Sequence, residues 1–292
     1  MIMLSIIKSN VRTIMLYTKP VSFKSDDSLT HLYNFIKPQT TVLDVGCACG
    51  GLAEALVKNK NCHVYGLEYN SQSVEVCQKL NVFEEIHQQD LNYLQTNDYP
   101  SWIKKFDYIV CGDVLEHLMI PDNVLHILLS YLKDNGEILI SLPNIAHGSI
   151  KATLLQDNFT YTDLGILDKT HLHFYTYKTI AAFLHNHHLS LLEMSPVFLP
   201  LDGYQKESFS DLSPEIQKYI EKDKHSSIVQ YVMRCKVDTN SSLTNNLQIL
   251  NSFETDGSTC PSTYSFKLKR FILTSVPFSL KWIEKIRNFL KI

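Results

Sequence analysis

No apolar run in the 292-residue sequence reaches the ~18 residues that would cross a bilayer, so no transmembrane helix is expected. Neither sign of charge dominates, since 27 Lys and Arg stand against 30 Asp and Glu for a formal net charge of −3. Nucleic acid is therefore not an expected partner, and no acidic tail is present. Glycine and proline number ten each, which excludes collagen-like and low-complexity chains. There is no pair of CxxC motifs, so no zinc-finger type site is expected. The seven cysteines (47, 49, 62, 77, 111, 235 and 260) fall largely inside apolar runs and read as reduced, buried thiols in a cytosolic protein. Cys47 and Cys49 could alternatively share a soft metal. What the chain does have is 45% apolar residues, fifteen Tyr and fourteen Phe, ample for a folded core.

The beginning of the chain, Met1 to Ile7, is apolar but lacks a basic lead and a small-residue cleavage site, a poor match to a signal peptide. Residues 1–27 read as an N-terminal extension. From residue 28 to 237 short apolar runs alternate with helical periods. Strands are expected at Thr41–Val45, His63–Leu67, Phe83–His87, Phe106–Cys111 and Glu137–Leu142. Helices are expected at 28–36, 52–58, 71–79, 122–132 and 177–187. That alternation predicts an α/β, Rossmann-like, doubly wound and mostly parallel sheet with helices on both faces. Two later strands, near 189–198 and 228–235, fit an antiparallel pair at the sheet edge, with a short helix after Pro214. Residues 143–175 read as an irregular cap over the cleft, and 238–265 as a polar linker.

The turn after the first strand of this pattern reads Asp44-Val45-Gly46-Cys47-Ala48-Cys49-Gly50-Gly51. A glycine turn between strand and helix brings backbone N–H groups close to a ligand. As a dinucleotide fingerprint it is imperfect, because Ala48 occupies the middle glycine slot and Asp44 would repel a pyrophosphate. A cationic ligand suits Asp44 better, and S-adenosylmethionine carries an ammonium and a sulfonium with no phosphate. Glu68 ends the second strand, where a carboxylate can take both ribose hydroxyls. Asp90 is placed for the adenine amino group, with Leu91 beside it. Cys47 in the turn and Gly112 at the end of the fourth strand complete the candidate cofactor set. The same acids could instead cap helices.

The motifs VLDVGCACG, GLE, QQDL and CGDVLEHL resemble those of class I S-adenosylmethionine-dependent methyltransferases. The similarity runs from about residue 28 to 236. It is greatest to the branch of ubiquinone-pathway O-methyltransferases and bacterial glycan-associated methyltransferases. Cys49 stands where that family usually has glycine. The resemblance implies a seven-stranded sheet whose last strand is antiparallel.

Asp113, Glu116 and His117 sit at the carboxyl end of the fourth strand. They could cap a helix, or bind a hard divalent ion such as Mg²⁺. The latter resembles the E-x-x-E-H metal motif of ubiquinone O-methyltransferases and small-RNA 3′-end methyltransferases. In the second group a further His lies downstream, to which His171 or His173 would correspond. Here Asp113 replaces the first Glu, which shortens the reach. The stretch from Ser141 to Thr176 resembles a segment of bacterial methyltransferases found beside glycosyltransferases, with His173 in place of a usual Arg. Methyl transfer to oxygen requires the hydroxyl proton to leave, so a general base is expected at the cleft. His171, His147 and His173 are the candidates, with a hydrogen-bonded structural role as the alternative for each.

The resulting expectation is a methyltransferase acting on a hydroxyl of a sugar, glycolipid or related small-molecule acceptor. The alternatives are a non-catalytic cofactor-binding partner of a glycosyltransferase and a nucleotide-cofactor oxidoreductase. Residues 266–292 carry seven basic residues and one acid, with Phe278, Trp282, Ile283, Ile286 and Phe289 on one helical face. This basic amphipathic helix would make a weak contact with a membrane surface or a partner protein. The expected location is the cytoplasm, peripheral to the inner membrane surface if that helix binds lipid.

Overall fold

The computed structural model describes residues 4–9, 12–17, 20–23, 25–201 and 209–253. Strands β1 (Leu4–Ser9) and β2 (Arg12–Tyr17) pair as an antiparallel hairpin separate from the main sheet. The main sheet holds β3 (Thr41–Val45), β4 (His63–Glu68), β5 (Phe83–Gln88), β6 (Phe106–Gly112), β7 (Leu132–Pro143), β8 (Leu189–Phe198) and β9 (Ile228–Val237). Its order is β5-β4-β3-β6-β7-β9-β8, and β9, the last in sequence, runs antiparallel to both neighbours. The doubly wound, mostly parallel sheet with one antiparallel strand is the architecture that the strand–helix alternation predicts. The late strand pair forms as expected, with β8 at the edge and β9 inserted beside β7.

The central strands are buried on both faces, and successive residues feed opposite layers. Val42, Val64, Tyr108, Val110 and Leu139 pack into one layer, which helices α1 (Ser28–Phe35) and α2 (Gly51–Lys60) cover with Leu32, Leu52 and Leu56, together with Ile36 just past the end of α1. Leu43, Val45, Ile109, Ile138, Ile140 and Met233 face the other layer. There α4 (Pro121–Tyr131) and α6 (Tyr177–Asn186) contribute Leu125, Leu128, Ile180 and Leu184. Each such fully buried aliphatic contributes ~1.5–3 kcal/mol. Helix α3 (Ser71–Leu80) joins β4 to β5. It starts where Asn70 Oδ1 accepts the N–H groups of Gln72 and Ser73.

Parallel pairing aligns the strand ends on one edge. Val45 lies opposite Leu67 and Cys111, Glu68 opposite Gln88, and Gly112 opposite Ser141. Every acid singled out at a strand end therefore emerges on the same edge, where open α/β sheets bind ligands.

Two stretches depart from the expectation. The segment 143–175 contains a helix, α5 (Gly148–Leu154), whose seven residues are too few for a helical period to show against their polar neighbours. The polar stretch from 238 onward is not all linker, because α8 (Leu243–Leu250) docks on the edge strand. Its Asn246 is buried, accepts the Leu191 N–H at 2.9 Å and donates to the Leu189 carbonyl at 3.0 Å. A side-chain amide thus satisfies backbone groups that an edge strand would otherwise leave open. Leu250 is fully buried against the same core. Helix α7 (Pro214–Lys222) forms after Pro214 as read. The amphipathic tail, 266–292, lies outside the described residues. Among the described residues no helix is long and apolar enough to cross a membrane.

Candidate active site

The cofactor side is built on the β3 turn. Gly46 has φ +69°, and a Cβ there would meet Val114 Cγ2 at 2.7 Å, so no side chain fits. Gly50, at φ +76°, opens α2 with no side-chain cap. Ala48 adopts φ +49° between them, a left-handed conformation that costs a non-glycine residue. Its N–H is held by Glu68 Oε2 at 2.8 Å, while Glu68 Oε1 accepts the Asn70 N–H at 2.8 Å. Glu68 thus ties the glycine turn to the start of α3, and each oxygen keeps a second lone pair for a ligand. Asp90 caps the short 3-10 turn Leu91–Tyr93, accepting the Asn92 N–H at 3.0 Å, which is the capping role weighed for it from sequence. Leu91 is buried beside it, and Gly112 sits where a Cβ would come within 3.0 Å of Leu32 Cδ1.

Asp44 is different. It is buried, its Oδ2 has no hydrogen-bond partner, and burial, helped by the nearby charge of Glu68, raises its pKa from 3.8 to about 7. A buried carboxylate with an unmatched oxygen beside a glycine turn is suited to a cation brought in from solution.

The second half lies beyond β6. Asp113 adopts φ +57°, and its carboxylate faces β7 and β9. Ser141 Oγ donates to Asp113 Oδ1 at 2.6 Å, the Gln230 side-chain amide donates to the same oxygen, and the Asp113 N–H donates to Ser141 Oγ at 2.9 Å. Glu116, in the 3-10 turn Leu115–His117, is buried with Oε2 unpartnered. Burial, reinforced by Asp113 and Asp168, pushes its carboxyl well above the usual range. The Glu116 carbonyl accepts the N–H groups of Leu172 (2.8 Å) and His173 (3.1 Å), which brings the 170–174 segment against this turn.

His171 arrives there buried, its Nδ1 3.0 Å from the Ile166 carbonyl. A carbonyl only accepts, so Nδ1 donates, and Nε2 is the nitrogen left to face a ligand. The rings of His117 and His171 lie 4.6 Å apart and steeply inclined. Burial and then the proximity of His171 lower the pKa of His117, favouring its neutral form. One oxygen of Glu116 and one ring nitrogen each of His117 and His171 lie within 4.8 Å of one another.

The set differs from the one expected. Asp113 is not in this group, because its carboxylate is engaged with Ser141 and Gln230, and His171 takes the third place. His147 is fully buried and caps α5. Its Nδ1 accepts from Ser149, its Nε2 lies 3.0 Å from the Leu199 carbonyl, and burial lowers its pKa to about 4. With both nitrogens engaged and no exposed surface it is a structural histidine, not a base. His173 Nε2 is buried without a partner but stands outside the group. The thiols of Cys47 and Cys49 turn to different neighbours, Cys77 and Ser73, so they do not converge on a shared metal.

Residues 36–193, more than half of the chain, match the family model described as "Methyltransferase domain". The chain belongs to the class I S-adenosylmethionine-dependent methyltransferases. This methyltransferase is 32% identical over 106 residues to the ubiquinone biosynthesis O-methyltransferase of Klebsiella pneumoniae, covering 35% of this chain and 42% of the relative. It is 31% identical over 110 residues to the protein of that name from Actinobacillus pleuropneumoniae serotype 5b, covering 35% and 45%. The match spans less than half the length of these relatives. A chain from the solved complex of the Haloferax volcanii Trm112 methyltransferase activator with a methyltransferase superposes with a TM-score of 0.50 at 12% identity. It covers 72% of this chain and 89% of that one, a likeness of fold. Membership sets aside the nucleotide-cofactor oxidoreductase alternative, in keeping with the carboxylate at position 44.

Sequence reasoning did not single out Asp168, Thr170 or Gln230. The first two lie within the quoted segment 141–176, whose motif was the available signal. Gln230 reaches Asp113 across 117 positions of sequence, and nothing local to it marks the contact.

Proposed function

We propose that this methyltransferase moves the sulfonium methyl of S-adenosylmethionine to a hydroxyl oxygen of a small-molecule acceptor. The observation that supports this is the buried, unpartnered Asp44 oxygen beside the glycine turn, which would meet the cofactor's ammonium. Glu68 would take the ribose hydroxyls with its remaining lone pairs, and Leu91 would pack beside the adenine. The acceptor oxygen attacks the methyl carbon in line with the breaking carbon–sulfur bond, leaving S-adenosylhomocysteine. The hydroxyl proton passes to a base, and alignment of the two partners supplies much of the rate.

The Glu116, His117 and His171 group supports a divalent ion at the acceptor. Its unpartnered buried carboxylate oxygen and two imidazoles fit a metal. Two nitrogens and one oxygen suit a first-row ion such as Mn²⁺, Fe²⁺ or Zn²⁺ better than Mg²⁺, which prefers oxygen. Bound there, the ion would lower the pKa of the acceptor hydroxyl. Without it, His171 Nε2 is the base that the geometry offers. The relatives' names favour oxygen as the methylated atom. The resemblance of residues 141–176 favours a sugar or glycolipid hydroxyl over a phenol.

The test is transfer of labelled methyl from S-adenosylmethionine to catechol and to a panel of sugar glycosides, with and without chelator, in wild type and His171→Ala. Activity abolished by chelator supports the metal reading. Activity that survives chelator but is lost in His171→Ala supports His171 as base. Full activity in His171→Ala removes His171 from either role.

A further inference from the structure

A hydrogen-bonded chain leads into the candidate site from a buried acid that no step above uses. Asp168 is 6% exposed. Its Oδ1 accepts the Thr170 N–H at 2.8 Å and the Thr170 hydroxyl at 2.7 Å. A threonine hydroxyl has one proton, and an ionised carboxylate can only accept. The proton therefore points to Asp168, and Oγ1 has only lone pairs to offer its other neighbour. That neighbour is His117 Nδ1, at 2.9 Å. The Thr170 carbonyl, 3.3 Å from the same nitrogen, is a second and longer acceptor. Both contacts require Nδ1 to carry the proton, which leaves Nε2 as the lone-pair atom of His117.

Asp168 also acts on the second histidine. Its backbone carbonyl accepts the His171 N–H at 3.0 Å, and His171 Nδ1 is committed to the Ile166 carbonyl. Asp168 thus orders the His117 ring through its carboxylate and Thr170, and its main chain ties down the backbone that carries His171. Outer partners of this kind set which imidazole nitrogen can bind a metal or take a proton. The hydroxyl bonded to a charged acceptor is also a better acceptor itself.

We propose that Asp168 and Thr170 are positioning residues, which hold His117 in the Nδ1–H tautomer and keep Nε2 free as a ligand or base beside His171 and Glu116. This rests on the reading of those three residues as part of the site. It goes beyond that reading in assigning the device that orients it.

The test uses the full chain and three proteins: wild type, Thr170→Val and Thr170→Ser. Thr170 is exposed, so the isosteric valine leaves the fold unchallenged. Imidazole ¹⁵N resonances at pH 8 report the tautomer of His117 directly, and visible absorption during Co²⁺ titration reports metal affinity. Wild type is expected as Nδ1–H at His117. Thr170→Val should show a mixture of tautomers and Co²⁺ affinity lower by ~10-fold or more. Thr170→Ser should restore both, with S-adenosylmethionine affinity unchanged throughout. Wild-type tautomer in Thr170→Val would overturn the proposal. Absence of any Co²⁺ response in wild type would overturn the metal reading, and the tautomer comparison would still decide the role of Thr170.

Discussion

The two halves of the site are assembled by different means. On the cofactor side, β3 and β4 deliver Asp44 and Glu68 at their ends, and Asp90 follows β5. Backbone N–H groups already occupy Glu68 and Asp90. On the acceptor side the groups sit on a 3-10 turn and an irregular segment more than fifty residues away, joined through the Glu116 carbonyl. Among the described residues four buried side-chain polar atoms lack a partner, and two are carboxylate oxygens, Asp44 Oδ2 and Glu116 Oε2. Their surroundings differ in kind. Asp44 faces a backbone turn and another acid, the setting for an organic cation. Glu116 lies beside two imidazoles, on which the metal proposal rests.

That contrast predicts separable losses. The largest is expected for Glu116→Gln, which keeps the volume and removes the charge. Mn²⁺ affinity measured by calorimetry should fall about 100-fold or more, since losing an outer partner alone costs 10–100-fold. S-adenosylmethionine affinity should hold. Equal Mn²⁺ binding in the variant would break the comparison at its acceptor side.

Next comes Glu68→Ala, which removes a charged acceptor and the anchor of the Ala48 N–H. S-adenosylmethionine binding should weaken by ~1.5–3 kcal/mol with Mn²⁺ binding unchanged. Unchanged cofactor affinity by calorimetry would take Glu68 out of the site. The smallest effect belongs to His147→Ala, which removes a buried cap. Thermal unfolding should show a stability loss of ~1–2 kcal/mol while both ligands bind as in wild type. Loss of either ligand without unfolding would return His147 to the site.

The same contrast governs what could be read from sequence. The cofactor half was legible because strand ends and a glycine turn are local patterns. TVLDV and the acids at 44, 68 and 90 lie where period and register put them. In the acceptor half the histidines were visible as residue types, but their sorting was not. His147 and His171 look alike in sequence, and only the Leu199 and Ile166 carbonyls, brought in by the fold, separate a cap from a ligand. The surroundings of Asp113 are hidden in the same way, since Ser141 and Gln230 reach it across adjacent strands. Helix α8 escaped because four apolar residues among Thr, Asn and Gln carry a weak period, and its docking depends on the buried amide of Asn246.

The central claim is that Asp44 meets the cofactor's positive charge. Its pKa of about 7 lies above the ordinary 3.8, so the folded protein holds this proton more tightly than an ordinary carboxyl does. Asp44 therefore favours folding at acid pH and loses that contribution as pH rises through 7. A cation that needs the carboxylate must expel this proton, so its affinity falls as pH drops below 7. The direct measurement is calorimetric titration of S-adenosylmethionine into wild type and Asp44→Asn between pH 5.5 and 8.5. Wild-type affinity should be level above pH 7 and fall toward about tenfold per unit below it, while Asp44→Asn binds more weakly with no such step. A wild-type profile flat through pH 7, or equal binding by the two proteins, would contradict the claim.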